Sequence, residues 1–287
     1  MTIHLPSLAT MRRQSIRLGP RAAACALMAA LYLVLTAGLY AARPEPIDVI
    51  DFRLFYSGVR ALLAGQSLYG QGFANPPYVA LALIPFALFP EPVALALFDA
   101  LVLVIAVLIA QRYRLGAVQT LGFILGPFLV SDLLSGQITL LVMGAVLLPV
   151  SWWPLAAVAK PQVAAGLLLR PTRAGALLLA GALALSFLLV PTWLSDMLSY
   201  GQSLPSAPWN AVRHLWPFTL CVGLPLLWWG WRSGDERFLL AASPFLSPYG
   251  ALGSFAATWL LVSSSLKGSW LIVLTLAMWL GVLVLSG

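Results

Sequence analysis

Charge is scarce in this sequence. Its 287 residues contain 16 Lys and Arg and 9 Asp and Glu, so that charged residues make up 9% of the chain, against about 25% in a typical soluble domain. Hydrophobic residues make up 61%. A chain with so little polar surface cannot cover a soluble globule, and we exclude that class.

Cysteine and histidine are also scarce, with two of each. Cys25 and Cys221 lie within or at the edge of apolar runs, where a small core residue is more common than a disulfide or metal pair. The sequence has no zinc-ligand spacing, Gly-rich phosphate loop or nucleophile elbow. We therefore expect no cofactor, with one alternative, a divalent cation near Asp48 and Asp51.

Long apolar runs are abundant instead, and most can cross about 30 Å of hydrocarbon as a helix. The content of Trp (11), Pro (21) and Gly (23) favours interrupted helices with interfacial aromatics over a membrane barrel. The sequence predicts an all-α polytopic membrane protein, a single domain over residues 1–287 with about nine to eleven transmembrane or partial segments. The expected segments are 22–42, 92–111, 115–131, 152–169, 174–194, 215–231, 238–250, 251–266 and 268–286, with shorter pieces at 78–89 and 137–150.

The net charge of +7 reports topology rather than nucleic-acid binding, because the cations lie in short loops. The basic tail, residues 1–21, precedes the first run without any acid, which holds the N-terminus in the cytoplasm. The same rule puts Arg112, Arg170 and Arg232 on the cytoplasmic side. The predicted localisation is the cell (plasma) membrane, with several crossings and extracytoplasmic loops at 43–77 and 195–214.

The first of these loops contains an amphipathic pattern. Apolar residues recur at helical spacing from Asp51 to Leu63 and leave Asp51 among the polar members. This pattern is typical of a helix that lies in the membrane interface. Gly65 is the expected stop of the helix, and Asn75-Pro76-Pro77 predicts extended chain before the next apolar piece.

Five short motifs in one order carry a family resemblance. They are Asp51 with Phe55-Tyr56; Gly65-Gln66-Ser67-Leu68-Tyr69 with Pro76-Pro77-Tyr78 and Pro85; Ser135-Gly136-Gln137 with Leu140; Lys160-Pro161-Gln162; and Ser243-Pro244 with Ser247-Pro248-Tyr249. Together they resemble the motifs of glycosyltransferase family 87, polytopic GT-C enzymes that transfer mannose from polyprenyl-phosphate mannose. Thr139 stands where that family usually has Asn. The chain resembles a shortened member.

The resemblance implies a hexosyltransferase, with mannose as the expected sugar and a GT-C-like helix bundle as the fold. The expected partners are a polyprenyl-phosphate sugar donor, a lipid or glycan acceptor and membrane lipids, but no nucleic acid. Asp51 is the expected general base, because an inverting enzyme needs a carboxylate to take the proton of the acceptor hydroxyl. The alternative is that Asp51 only caps the helix that follows it. Asp48 is a weaker candidate for the base, with the binding of a divalent cation as its alternative role.

Cations are expected near the leaving phosphate, where negative charge develops. Lys160 lies in an apolar run and is the first candidate. The alternatives are that its side chain reaches to the membrane interface or that it pairs with Asp99. Arg213 and His214, at the end of the second outer loop, are the next candidates. The remaining predicted binding residues are Gln137, Tyr56 and Tyr249.

Two further expectations concern residues and functions outside this set. Asp132, at the end of an apolar run, is expected to end its helix at the surface. The rival functions are a small secondary transporter, because broken helices and intramembrane charges also suit alternating access, and a noncatalytic membrane protein derived from the GT-C fold.

Overall fold

The computed structural model describes residues 50–201, 210, 212 and 214–286, and within them it is all helical, without β-strands. This confirms the all-α prediction. The α-helices are α1 (Ile50–Leu63), α2 (Pro77–Ala87), α3 (Glu91–Arg112), α4 (Ala117–Ile124), α5 (Pro127–Ser135), α6 (Thr139–Met143), α7 (Trp153–Ala159), α8 (Pro161–Ala164), α9 (Arg173–Leu189), α10 (Trp193–Gly201), α11 (Leu220–Ser233), α12 (Glu236–Ala242), α13 (Ala256–Ser265) and α14 (Gly268–Ser286). The 3₁₀ helices are Tyr69–Gln71, Gly144–Leu147, Val150–Trp152, Ala165–Leu169, Ser243–Phe245 and Leu252–Phe255.

Only α3, with 22 residues, is by itself long and apolar enough to cross a membrane among the residues described. Two bent pairs pass the same test when each is taken as one span: α4 with α5, bent by 49°, and α9 with the start of α10, bent by 92°. The described chain therefore has one to three candidate spans plus shorter apolar helices. This supports membrane association, whereas the count of nine to eleven segments stays a prediction.

Large apolar side chains are exposed along several helices, as expected of a surface in contact with lipid. Leu188 and Leu177 on α9 are 81% and 74% exposed, and Trp270 on α14 is 65% exposed. In water, so many exposed large apolar side chains would promote aggregation.

The predicted helix in the first loop is confirmed as α1, and its apolar face is covered by protein. Phe52 and Val59 are buried, and the ring of Phe52 lies 5.4 Å from that of Phe98 on α3. After α1 the chain turns at Gly65, whose φ of +70° is a conformation that glycine adopts without strain. The apolar face of α1 thus holds its N-terminal Asp51 against the bundle.

The run at 152–169, expected to be one membrane segment, is a helical hairpin with Lys160 at its tip. Helix α7 ends before Lys160, whose φ of −146° and ψ of 82° are not helical, and Pro161 begins α8. The reversal of the chain brings α7 against the 3₁₀ helix Ala165–Leu169. The single-segment prediction is wrong because a residue before proline is disfavoured in helical conformation, so that the helix ends at Ala159.

Candidate functional site

The Lys160 ammonium at the hairpin tip lies at the centre of a buried polar cluster. It donates to Gln137 Oε1 at 2.6 Å and to Thr139 Oγ1 at 2.7 Å. Thr139 Oγ1 is also 3.1 Å from Asp132 Oδ1. Lys160 is 6% exposed and Thr139 is fully buried. Residues from two separate segments, 132–139 and the hairpin, therefore meet here. We call Asp132, Gln137, Thr139 and Lys160, together with Asp51, the lysine cluster.

The local chain explains how Gln137 and Thr139 reach the lysine. Helix α5 ends at Ser135, and Gly136 follows in the left-handed conformation, with φ of +69°. This turn reverses the chain before α6 begins at Thr139. The predicted Gly-Gln turn is thus present, and it directs both side chains toward the hairpin tip.

Asp132 is not at the surface, and that expectation was wrong. Asp132 is only 2% exposed, and the 3₁₀ helix Leu252–Phe255 packs over α5 at this point. A Cβ atom on Gly253 would lie 1.7 Å from Asp132 Oδ1, so the glycine lets the backbone approach the carboxylate. Asp132, rather than Asp99, is the buried carboxylate linked to Lys160.

Asp51, the predicted base, lies at the start of α1 and is partly exposed. It is close enough to the Lys160 ammonium and the Asp132 carboxylate to interact electrostatically with both. No hydrogen bond joins Asp51 to another of the described residues. Three predicted site residues, Asp51, Gln137 and Lys160, therefore belong to one cluster.

The first loop holds the hairpin tip through the side chain of Asn75, which is not among the predicted site residues. Asn75 Nδ2 donates to the carbonyl oxygen of Ala159 at 2.7 Å, directly before Lys160. Tyr69 in turn donates to the Asn75 carbonyl at 2.8 Å. Burial, and then the charge of Asp196, raise the pKa of the Tyr69 hydroxyl, which keeps it a donor. Tyr78 adds a hydrogen bond to Leu155 of α7 at 2.7 Å.

Two other predicted binding residues occupy different surroundings. The Tyr56 hydroxyl donates to the Phe89 carbonyl at 2.9 Å and so fastens α1 to the turn before α3. Tyr249 lies in the turn after α12, and Asn210 Nδ2 donates to the carbonyl of the preceding Pro248 at 3.0 Å. Neither hydrogen bond tests a role in binding, and both roles stay predictions.

Of the two candidates in the second outer loop, the structure describes only His214. His214 is exposed. Arg213 lies outside the described residues, as does Asp48. Their roles near the phosphate or the base therefore stay predictions as well.

A second charged group lies at the other end of α3. Arg112 Nη2 donates to Glu236 Oε1 at 2.7 Å, and the Tyr113 hydroxyl donates to the same oxygen at 3.1 Å. Arg237 Nε lies 3.0 Å from both oxygens of Asp235, and Arg237 Nη1 donates to Ser264. We call these residues the arginine network. It joins α3, α12 and α13.

The arginine network is electrostatically complementary. Burial alone raises the pKa of the Asp235 carboxyl, but hydrogen bonds from Arg237 and its positive charge outweigh burial and lower it. Burial, followed by the charge of Glu236, raises the pKa of the Tyr113 hydroxyl. Asp235 therefore stays charged near neutral pH, and the Tyr113 hydroxyl stays a donor.

No metal centre is formed by the residues that the structure describes, since no three His, Cys, Asp or Glu side chains come together there. The divalent-cation alternative involves Asp48 and stays a prediction.

Comparisons of the chain with protein-family models, curated proteins and solved structures give no match. The resemblance to glycosyltransferase family 87 therefore rests on its ordered motifs.

Proposed function

We propose that the protein is a membrane glycosyltransferase that moves a hexose, with mannose the expected sugar, from a polyprenyl-phosphate sugar to a lipid or glycan acceptor. The observation that carries the proposal is the juxtaposition of Asp51 with the Lys160 ammonium. A partly exposed carboxylate without a hydrogen bond from the described chain is free to take a proton. A nearby buried ammonium can compensate a phosphate. The ordered motifs supply the reaction class.

The proposed reaction needs one base and one displacement. The acceptor oxygen attacks the anomeric carbon while its proton passes to an Asp51 carboxylate oxygen. The bond between that carbon and the phosphate oxygen breaks, and polyprenyl phosphate leaves with the electron pair. Because attack and departure occur on opposite faces of the sugar, the anomeric configuration inverts. Lys160 would stabilise the negative charge on the leaving phosphate.

Replacement of Asp51 by Asn tests the proposed base. The amide keeps the shape of the carboxylate but cannot accept a proton, so we expect transfer to fall by at least about 100-fold, as for the loss of a general base. The assay is sugar transfer from labelled polyprenyl-phosphate sugars in membrane extracts. Asp48→Asn is the matched control and should retain most of the activity. If Asp51→Asn turns over like the native chain, Asp51 is not the base.

The proposed multi-pass topology places the lysine cluster on the extracytoplasmic side. Its support is geometric, because the cluster and the arginine network lie near opposite ends of α3. Arg53, two residues after Asp51, pairs with Glu91 at 2.9 Å, whereas Arg112 of the network ends α3. A 22-residue helix is about 33 Å long, enough to separate two membrane faces.

Cysteine labelling in intact cells tests this topology. We expect a membrane-impermeant thiol reagent to reach a cysteine at position 66, in the first outer loop, and not one at position 173 until the membrane is permeabilised. Both positions are exposed, so that access depends on the side of the membrane. The native cysteines are first replaced by Ser. External labelling at 173 would contradict the proposed orientation.

A secondary transporter is the second candidate, and the burial of the lysine cluster favours it. Charged groups within a bundle are also a feature of ion-coupled transport. The test is uptake of polar solutes into vesicles that contain the protein, measured with and without a proton gradient. Gradient-driven uptake without sugar transfer would replace the glycosyltransferase proposal.

A further inference from the structure

Among the described residues, the hydrogen bonds of Lys160 leave one of its three N–H donors without a partner. An ammonium has three N–H groups and no acceptor. Two of them are donated, to Gln137 Oε1 at 2.6 Å and to Thr139 Oγ1 at 2.7 Å. No other described residue accepts the third. A buried donor of this kind is costly unless a ligand or water completes it.

The contact between Thr139 and Asp132 has a defined direction. Because Lys160 can only donate, the Thr139 oxygen accepts from it, and its own hydrogen is left for Asp132 Oδ1 at 3.1 Å. The order is therefore Lys160 to Thr139 to Asp132. Asp132 Oδ2 is buried and has no hydrogen-bond partner among the described residues.

The far end of this chain of hydrogen bonds is fixed in place. Gly253 leaves no room for a side chain next to Asp132 Oδ1, and Asp132 is 2% exposed. Protein interiors are close-packed, so that such a carboxylate cannot shift without moving its neighbours. Thr139, fully buried itself, links the fixed carboxylate to the lysine.

We propose that Asp132 is a positioning residue that acts through Thr139 to hold the Lys160 ammonium, so that its third N–H stays available to the phosphate of the donor. The inference rests on the proposed function. A lysine side chain has four rotatable methylenes, and without this tether the ammonium could turn to the other nearby carboxylate, Asp51. The hydrogen-bond chain thus keeps the phosphate site and the base apart.

Thr139→Val tests the tether, because valine has nearly the same shape but cannot hydrogen-bond. We expect the donor KM to rise about tenfold, since a hydrogen bond to a charged group is lost, while kcat changes less than about threefold. Thr139→Ser restores the hydroxyl and should return the donor KM to near the native value. An unchanged donor KM in Thr139→Val, or failure of Ser to restore it, would overturn the proposal.

Amine labelling gives a readout that does not depend on sugar transfer. The chain has two lysines, Lys160 and Lys267, and Lys267 is exposed, so it is an internal reference. We expect limited acetylation, followed by mass spectrometry, to modify Lys160 at least about threefold faster relative to Lys267 in Thr139→Val than in the native chain. An unchanged ratio would contradict the tether. Absence of transfer from every polyprenyl-phosphate sugar in the native chain would instead contradict the proposed function.

Glycine substitutions test whether the position of the Asp132 carboxylate matters when the carboxylate itself is kept. Gly253→Ala keeps the carboxylate but forces it to move, because the added Cβ would lie 1.7 Å from Oδ1. Gly181→Ala is the matched control, since a Cβ there meets nothing within 4 Å. We expect Gly253→Ala to raise the relative labelling of Lys160 and Gly181→Ala to leave it unchanged. Equal labelling in the two variants would overturn the proposal.

Discussion

The lysine cluster and the arginine network both join distant segments through charged side chains, yet they differ in completeness. In the arginine network, Glu236 accepts from both Arg112 and Tyr113, and Asp235 accepts from Arg237. In the lysine cluster, one carboxylate oxygen of Asp132 has no hydrogen-bond partner within the described chain. Satisfied charges are expected of a structural brace, whereas unsatisfied buried ones indicate a place where something binds.

The lysine cluster is also more deeply buried than the arginine network. The side chain of Arg112 is 41% exposed and that of Glu236 16%, whereas Lys160 and Asp132 are 6% and 2% exposed. Exposed ion pairs contribute little because water screens them, while a buried charge is costly unless it is compensated. The comparison therefore supports the proposal that the cluster binds a ligand and that the network contributes to stability.

The largest effect on ligand binding is expected from Lys160→Met. This change removes the only ammonium of the cluster, and we expect the donor KM to rise by more than about tenfold, because a lost interaction with a charged group is worth about 1.5–3 kcal/mol. Lys267→Met removes the only other lysine, which is exposed, and should leave the donor KM unchanged. Equal donor KM values in the two variants would mean that Lys160 does not bind phosphate.

A smaller effect is expected from Glu236→Gln, which removes the shared acceptor of the arginine network. We expect a loss of about 1 kcal/mol or less in the free energy of unfolding, as for a partly exposed ion pair, with sugar transfer unchanged. Glu91→Gln breaks a single ion pair with Arg53 and should cost less stability. Denaturation in matched detergent measures both. A loss of transfer in Glu236→Gln at native stability would contradict its role as a brace.

The sequence predicted the parts of the site that are recognisable one residue at a time. Lys160 stands out because a cation in an apolar run is rare, and Pro161 indicates the break that makes it the tip of a hairpin. Asp51 and Gln137 were each predicted from the motif that contains them. Their assembly with Lys160, which lies 23 residues from Gln137, could not be predicted from spacing.

Asp132, Thr139 and Asn75 were missed because their roles depend on contacts between distant segments. Asp132 is covered by residues near Gly253, about 120 residues further along the chain. Asn75 binds a carbonyl 84 residues away. One signal was available for Thr139, since it replaces the usual Asn of the Gly-Gln motif. A changed polar residue beside an intramembrane cation is a reason to expect a hydrogen bond.

The count of membrane segments illustrates the same limit on a larger scale. Hydropathy reports apolar length, but helix breaks depend on local backbone geometry. Pro127 begins α5 after a bend of 49° from α4, and one apolar run thus becomes two short helices. The hairpin at Lys160 divides another. The all-α class could be predicted from composition, whereas the path of each run could not.

We propose that the lysine cluster acts on substrate, whereas the arginine network stabilises the fold. This division of roles is tested by measuring sugar transfer and unfolding of Asp51→Asn and Glu236→Gln in the same membrane preparation. We expect Asp51→Asn to lose transfer and keep the native unfolding midpoint, and Glu236→Gln to keep transfer and lower the midpoint. Loss of transfer in Glu236→Gln together with native transfer in Asp51→Asn would contradict it.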